Sequence, residues 1–295
     1  MKNKPLESFD IQRKAFFKKM DTVVKKGKTK LFLIIVANTL DPSIGEGCAL
    51  DVKTVRSLFV KMSEFMEFIL AELVITGKDY TTKNIFDSLD KLKFGHDDII
   101  IFYYTGHGFS FAKEVTTRTP QLDLQSFPAS NKIKAIENTT KNLNEILEKI
   151  KSKGARLNIV IGDCCNDKIN FNRKFKSKVA KKTLIQQPKS EVNKETCKAM
   201  FCDPKSSMLI AAADKGLLAI TDDEKGSIFT LKFVEILSET IHAPLTKNKD
   251  FPWESLLKKT QASTLRLSKT FDLPDGNPGN QKSFFIIKRE GFVLY

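Results

Sequence analysis

Continuous apolar runs, rather than alternating ones, recur along the sequence. Such runs are typical of strands that helices cover on both faces. They predict six strands, at residues 30–37, 71–76, 99–105, 157–161, 208–213 and 283–288.

Between these runs, apolar residues recur at the spacing of an amphipathic helix. The segments with this spacing are residues 50–68, 82–92, 139–154, 227–237 and 252–267. Strands that alternate with helices pair in parallel through right-handed crossovers. The predicted fold class is therefore α/β, with a mostly parallel six-stranded sheet and helices on both faces. Residues 1–28 predict an N-terminal helical extension, and residues 29–295 predict one domain that follows it.

Composition narrows the classes of function. The net charge of +14 comes mostly from lysine and is spread along the chain, with a concentration at 168–205. No helix-turn-helix, zinc-finger or aromatic RNA-binding pattern accompanies it, so a nucleic-acid partner is not expected. The five cysteines are odd in number and unevenly spaced, which fits a reducing compartment better than a disulfide framework. With neither a secretory signal nor an apolar stretch near the ~20 residues that cross a membrane, we expect a soluble, cytoplasmic protein without a membrane partner.

Neither a cofactor nor a metal is predicted. Gly45 and Gly47 follow the first strand, as in nucleotide-binding loops, but Leu50 occupies the third glycine position. The sequence also lacks the Gly-Lys-Ser/Thr of a phosphate-binding loop. No paired Cys-x-x-Cys arrangement offers a zinc site.

A thiol and an imidazole follow two of the predicted strands. His107 lies just beyond 99–105, and Cys165 lies just beyond 157–161. Because the carboxyl ends of parallel strands share one sheet edge, these side chains can meet there. An imidazole can activate a thiol as a nucleophile, and the backbone amides of Gly108 and Cys165 could stabilise an oxyanion. The alternative is a packed histidine and an inert, buried cysteine.

Three motifs resemble those of the caspase and metacaspase clan of cysteine peptidases. Tyr104-Thr105-Gly106-His107-Gly108 is similar to the Tyr-Ser-Gly-His-Gly of the clan, and Asp163-Cys164-Cys165 resembles the Asp-Ser-Cys of metacaspases. The stretch from Gly47 to Asp51 is similar to their Gly-Cys-x-x-Asp. The histidine precedes the cysteine by a spacing close to the ~50 residues of caspase-type enzymes. The resemblance implies a caspase-like fold and a cysteine endopeptidase.

The resemblance also implies roles for residues. Cys165 becomes the nucleophile and His107 its base, while Cys164 takes the small-residue position beside it. Asp51 and Asp163 match acidic residues with which metacaspases bind a basic P1 side chain, so we expect a protein or peptide substrate that is cleaved after Arg or Lys. The alternatives are a first-turn helix residue for Asp51 and a turn residue for Asp163.

The lysine-rich segment 166–205 takes the place of the linker between the large-subunit part (29–165) and the small-subunit part (206–295) of such enzymes. Self-processing and a merely solvated loop are both open for it. Two departures stand out. The acidic cluster with which metacaspases bind calcium is lacking, and their His-Ser-Gly after the cysteine is replaced by Asn166-Asp167-Lys168. A catalytically silent caspase fold that binds a partner is the alternative function.

Overall fold

The computed structural model of the chain describes residues 8–22, 28–112, 116–126, 128–130, 132–168, 192–245, 251–273, 276–289 and 292–294. The strands, in chain order, are β1 (Lys30–Ala37), β2 (Ile69–Ile75), β3 (Ile99–Thr105), β4 (Gly108–Phe109), β5 (Gln121–Asp123), β6 (Thr140–Asn142), β7 (Leu157–Asp163), β8 (Ser206–Ala211), β9 (Thr221–Asp222), β10 (Gly226–Ser227), β11 (Phe284–Arg289) and β12 (Phe292–Leu294). The α-helices are α1 (Phe9–Asp21), α2 (Gly45–Met66), α3 (Thr82–Asp90), α4 (Ile133–Thr139), α5 (Leu143–Lys151), α6 (Lys194–Cys197), α7 (Ile228–His242) and α8 (Pro252–Ser268).

One sheet organises the described part of the chain. It contains seven strands in the order β12-β11-β8-β7-β3-β1-β2. The five from β2 to β8 run parallel, β11 pairs antiparallel with β8, and β12 pairs antiparallel with β11. The predicted α/β class and mostly parallel sheet are confirmed. The predicted count of six omits β12, because its three residues are too few for an apolar pattern to distinguish a strand.

Helices cover both faces of this sheet, as the continuous apolar runs predict. Side chains of α2, α7 and α8 pack on one face, and those of α1, α3 and α5 pack on the other. Every residue of β1, β3 and β7 is buried. With both faces covered, the ends of the strands are the part of the sheet left for chemistry.

The register brings three strand ends together. Thr105, the last residue of β3, lies between Ala37 of β1 and Asp163 of β7. The next strand along the sheet, β8, continues this edge because its Ala211 pairs with Gly162. The loops after β1, β3, β7 and β8 therefore leave the sheet from one edge.

At one end of the sheet, α1 covers the free edge of β2. The Val74 amide donates to Gln12 Oε1 at 3.2 Å, and Lys19 Nζ donates to the Leu70 carbonyl. These side chains satisfy backbone groups that an unpaired edge strand would otherwise expose. At the other side of the sheet, β11 is paired on both edges, by β8 and β12.

Two helices begin elsewhere than the sequence predicts. The helix expected at 50–68 starts at Gly45, because the glycines that resemble a loop lie in its first turn. A Cβ at Gly45 would lie only 2.6 Å from the Thr39 carbonyl oxygen, so close packing rather than a turn requires glycine there. The helix expected from 139 starts at Leu143, because residues 140–142 pair with β5 and the Asn142 side chain caps the helix.

The end of the lysine-rich segment is helical, which corrects the prediction of one long loop over 166–205. Helix α6 and a π-helical turn at Lys198–Cys202 occupy its last part, and Met200 and Phe201 join the core. Residues 169–191, which carry most of the lysines, lie outside the described residues. Among the helices described, none combines the length and apolarity needed to span a bilayer.

Candidate active site

A cavity of about 320 Å³ opens at the edge where these strands end. Its lining comes from the loops after β1, β3, β7 and β8 and from residues 271–273. His107 and Cys165 both line it, so the structure brings together the two residues that the sequence pairs as base and nucleophile.

The His107 ring meets a carboxylate that sequence reasoning missed. His107 Nε2 lies 3.2 Å from Asp41 Oδ2, in the loop between β1 and α2. The other oxygen, Asp41 Oδ1, accepts from both the amide and the hydroxyl of Ser43. Burial alone would raise the pKa of Asp41, but the hydrogen bonds with His107 and Ser43 outweigh it and hold that pKa well below its usual value. Asp41 is therefore an ionised acceptor.

This acceptor changes the titration of His107. Burial by itself would lower the pKa of the imidazole, whereas the hydrogen bond and charge of Asp41 raise it, and the nearby Asp123 adds to that effect. The net result is a pKa above the usual value of 6.5. Because Nε2 faces a carboxylate, the neutral ring carries its proton on Nε2, and Nδ1 is left as the basic nitrogen.

Buried tyrosines fix the backbone that carries His107. Tyr104 OH donates to the His107 carbonyl at 2.7 Å and to the Asp123 carbonyl at 2.9 Å. Tyr80 OH donates to the same Asp123 carbonyl at 2.6 Å. The Asp123 amide in turn donates to the His107 carbonyl at 3.0 Å. These hydrogen bonds therefore fix the position of the His107 backbone at the sheet edge.

Gly108 packs directly on the cysteine pair. A Cβ at this position would lie 2.5 Å from Cys164 Sγ and 2.6 Å from the Cys165 carbonyl oxygen, so only glycine fits. In an antiparallel ladder, alternate residues direct their backbone groups to opposite edges. Since the His107 carbonyl faces Asp123 and the Ser110 amide donates to Asp167, the Gly108 amide is directed to the edge of β4 away from β5.

The two adjacent cysteines differ in their surroundings. Cys164 is 2 % exposed and belongs to the apolar core, and burial raises the pKa of its thiol well above the usual value. Cys165 is only partly buried and lines the cavity. Its sulfur accepts from the Ala219 amide at 3.3 Å and lies 3.6 Å from the Ala219 carbonyl oxygen. This placement agrees with Cys165, rather than Cys164, as the reactive thiol.

Asn166, a departure from the metacaspase pattern, anchors the loop after the cysteine. It is fully buried, and its side-chain amide donates to the Arg118 carbonyl at 2.7 Å. Its backbone accepts from the Gly216 amide and donates to the Leu217 carbonyl. The side-chain contact depends on asparagine because its amide nitrogen is a hydrogen-bond donor. Asn166 therefore stabilises the loop after the cysteine.

Asp51 and Asp163 lie deep beside the cavity as a buried acidic pair. Asp51 Oδ2 accepts from Thr105 Oγ1 at 2.9 Å, and Asp51 Oδ1 accepts from the Ser227 amide at 2.8 Å. Asp163 Oδ2 accepts from Thr230 Oγ1 at 2.5 Å. Neither alternative assignment holds, because Asp51 is in the second turn of α2 and Asp163 is the last residue of β7.

This pair is electrostatically costly in the absence of a cation. Burial raises the pKa of Asp163 to about 6, and burial together with the charge of Asp163 raises the pKa of Asp51 well above its usual value. Among the described residues that line the cavity, none is a lysine or arginine, whereas Asp223 and Asp272 add further acidic groups. The described residues contain no group of three or more His, Cys, Asp or Glu arranged to hold a metal ion.

Sequence reasoning thus located the strand-end residues but missed Asp41 and Asn166. The signal for Asp41 was present: a carboxylate followed by proline, just after the first central strand, at the sheet edge that carries His107. Only the path of the β1–α2 loop shows that it reaches the ring.

Comparison with known proteins gives one family. The model of the caspase domain, a peptidase family, matches residues 30–269, which covers β1 to the end of α8 and includes Asp41, Asp51, His107, Asp163 and Cys165. A comparison with the curated proteins gives no match.

Proposed function

The chain belongs to the caspase-domain family, whose function is that of a cysteine peptidase acting on proteins, and on this basis we propose that it is an endopeptidase that cleaves after Arg or Lys. The observation that carries the proposal is a cavity lined by His107, Cys165 and Asp163, with no lysine or arginine among its described lining residues. The buried Asp51 lies behind this lining and accepts a hydrogen bond from Thr105. A basic side chain of the substrate would supply the positive charge that neutralises Asp51 and Asp163.

Cys165 is the proposed nucleophile. His107 Nδ1 accepts the thiol proton, and the sulfur attacks the scissile carbonyl to form a tetrahedral intermediate. The amides of Gly108 and Cys165 donate to the oxyanion. His107 then passes the proton to the departing amine, which leaves an acyl-enzyme at the sulfur. A water molecule, deprotonated by His107, hydrolyses that thioester and restores the thiol.

Asp51 and Asp163 are the proposed binding site for the P1 side chain. A guanidinium or ammonium group that reaches Asp51 and Asp163 converts like-charge repulsion into two charge-assisted interactions. An Asp side chain at P1 would instead add a third carboxylate to this site. The expected order of turnover is therefore Arg or Lys first, neutral residues next and Asp last.

Self-processing is a further part of the proposal. A protease that cleaves after basic residues can recognise the lysine-rich sequence between residues 168 and 189, which has Arg173 and Lys174 near its start. Mass spectrometry of the purified chain beside a Cys165→Ala variant tests it. Fragments that end in Arg or Lys within this segment, in the wild type only, support it, and identical intact masses refute it.

A panel of fluorogenic peptides that differ only in P1 tests the function itself. Arg, Lys, Gln and Asp peptides are assayed with wild type, Cys165→Ala and Cys164→Ala. We expect turnover of the basic peptides by wild type and Cys164→Ala, with loss in Cys165→Ala. Turnover of the Asp peptide at or above the rate for Arg would overturn the specificity. Inactivity of wild type on all four, before and after treatment with trypsin, would favour a silent, partner-binding fold.

A further inference from the structure

The imidazole of His107 is held by a side chain and not only by its own backbone. Asp41 Oδ2 lies 3.2 Å from Nε2, at the end of the ring that is remote from the basic nitrogen Nδ1. A base that shuttles a proton must keep one tautomer and one orientation through both halves of the reaction. A carboxylate at Nε2 can supply both requirements, because it accepts the Nε2 proton in a hydrogen bond and so fixes the tautomer and the orientation of the ring.

The position of Asp41 is itself fixed by its neighbours. Pro42 follows it and restricts its backbone to extended conformations. Its carbonyl accepts from the Gly45 amide at the start of α2 at 2.8 Å, and Oδ1 takes both donors of Ser43. Oδ2 is thus directed at His107 by contacts that do not involve the histidine.

We propose that Asp41 is the positioning residue of the His107–Cys165 pair: its carboxylate keeps the proton on Nε2 and leaves Nδ1 to accept the thiol proton. The arrangement is then a three-residue relay, Asp41–His107–Cys165, with members from the loops after β1, β3 and β7. This inference rests on the proposed peptidase function for its kinetic consequence, but its effect on the ring is independent of that function.

The electrostatic part of this role follows from the groups that face the ring. These are Asp41 from the β1–α2 loop and Asp123 from the end of β5, while Cys165 and Asp163 share the cavity. Asp41 contributes both a hydrogen bond and a charge, and Asp123 contributes charge only. Replacement of Asp41 by Asn removes the larger contribution and presents an amide that can donate to Nε2. An amide donor there favours the opposite tautomer, with the proton on Nδ1, which cannot accept the thiol proton.

The chain contains a matched control. His96 Nδ1 lies 3.3 Å from Asp97 Oδ1, and both side chains are exposed, in the loop before β3. Asp97→Asn therefore removes a second histidine–aspartate contact away from the cavity. With three histidines in the whole chain, NMR of histidine-labelled protein resolves each ring.

The test combines a spectroscopic and a kinetic measurement on the full chain. In a Cys165→Ala background, ¹⁵N shifts report the tautomer and pKa of His107. Asp41→Asn is expected to lower that pKa and to reduce the Nε2-protonated form, whereas Asp97→Asn leaves His107 unchanged. In the active background, Asp41→Asn is expected to lower kcat roughly 100-fold with KM within threefold, since general base catalysis is worth ~10²–10⁴.

A second variant guards against misfolding. Asp41→Ala with added formate supplies a small carboxylate to the emptied position, and partial recovery of kcat supports the positioning role. Unchanged His107 tautomer and pKa in Asp41→Asn, with the His96 and His242 signals as in the parent protein, would overturn the inference. If the wild type cleaves no peptide, the proposed function fails, but the tautomer and pKa of His107 still decide this inference.

Discussion

Replacing Asp163 by Asn is expected to make the protein more stable and less active at the same time. Asp163 is 3 % exposed, and burial raises the pKa of its carboxyl from 3.8 to about 6. In the unfolded chain an aspartate titrates near 3.9. Between these pH values the unfolded chain has lost a proton that the folded chain retains. Folding is therefore favoured at low pH, and the free energy of unfolding decreases as the pH rises through about 4 to 6.

The size of this effect follows from the shift in pKa. At ~1.4 kcal/mol per unit, Asp163 costs the folded state on the order of 3 kcal/mol above pH 7. Asparagine removes that cost but weakens the hydrogen bond from Thr230, at about 1 kcal/mol. A net gain of about 1–2 kcal/mol raises Tm by roughly 2–4 °C at pH 7.5 in a chain of this size. As the pH is lowered, the charge cost disappears while the loss of the Thr230 hydrogen bond remains, so the gain is expected to reach zero between about pH 4 and 5 and to become a small net loss below that.

The functional loss has the same electrostatic origin. Removing one partner of a buried ion pair costs about 2–5 kcal/mol. We expect the lower half of that range, because burial raises the pKa of both carboxyls and so already favours a protonated form of the empty pair. A loss of about 2–3 kcal/mol lowers kcat/KM for a P1 Arg peptide roughly 30- to 150-fold, while a P1 Gln peptide loses much less. The decisive quantity is the Arg-to-Gln ratio of kcat/KM, since a general disturbance of Cys165 would lower both rates equally.

Asp98→Asn provides the control. Asp98 is also buried and has a raised pKa, but it lies before β3, at the opposite end of the strand from the cavity. Its replacement is expected to leave the Arg-to-Gln ratio unchanged. An unchanged ratio in Asp163→Asn, together with a Tm at pH 7.5 below that of wild type, would refute the reasoning on both counts.

The remaining predictions concern the packing around the cysteine. Gly108→Ala is expected to lower kcat/KM at least ~100-fold and to lower Tm, because its Cβ would lie 2.5 Å from Cys164 Sγ; activity within threefold of wild type would contradict this. Asn166→Ala is expected to cost about 2 kcal/mol in urea unfolding, since it empties a fully buried position and leaves the part-buried Arg118 carbonyl without its side-chain donor; an unchanged midpoint would argue against that anchor. Brief alkylation of the native protein, followed by peptide mapping, is expected to modify Cys165 and the partly exposed Cys202 before the three buried cysteines, Cys48, Cys164 and Cys197.

The periodicity of the sequence was enough to predict the fold, because covered parallel strands require continuous apolar runs. It failed where tertiary contacts override local signals. Gly45 is a residue typical of loops, yet it begins α2. Glycine is required there because the Thr39 carbonyl leaves no room for a side chain. Residues 140–142 have helical spacing but extend along β5 before Asn142 caps the following helix.

The candidate site was predictable to the extent that it follows strand ends. His107, Cys165 and Asp163 each lie within two residues of the end of a central strand, so topology alone places them on one edge. Asp51 required the motif, because its side chain comes from the second turn of a helix. Asp41 also follows a central strand, but its contact with His107 could not be predicted, because no strand or helix pattern specifies the path of the loop that carries it.

Covalent labelling with a peptidyl acyloxymethyl ketone is the most direct test of the central claim. Such a probe alkylates an activated thiol whose pocket has accepted its P1 side chain. We expect one equivalent of a P1 Arg probe on Cys165, full labelling of Cys164→Ala, none of Cys165→Ala, and little reaction with the P1 Asp analogue. Labelling of Cys164 instead, or faster reaction with the Asp probe than with the Arg probe, would contradict the account.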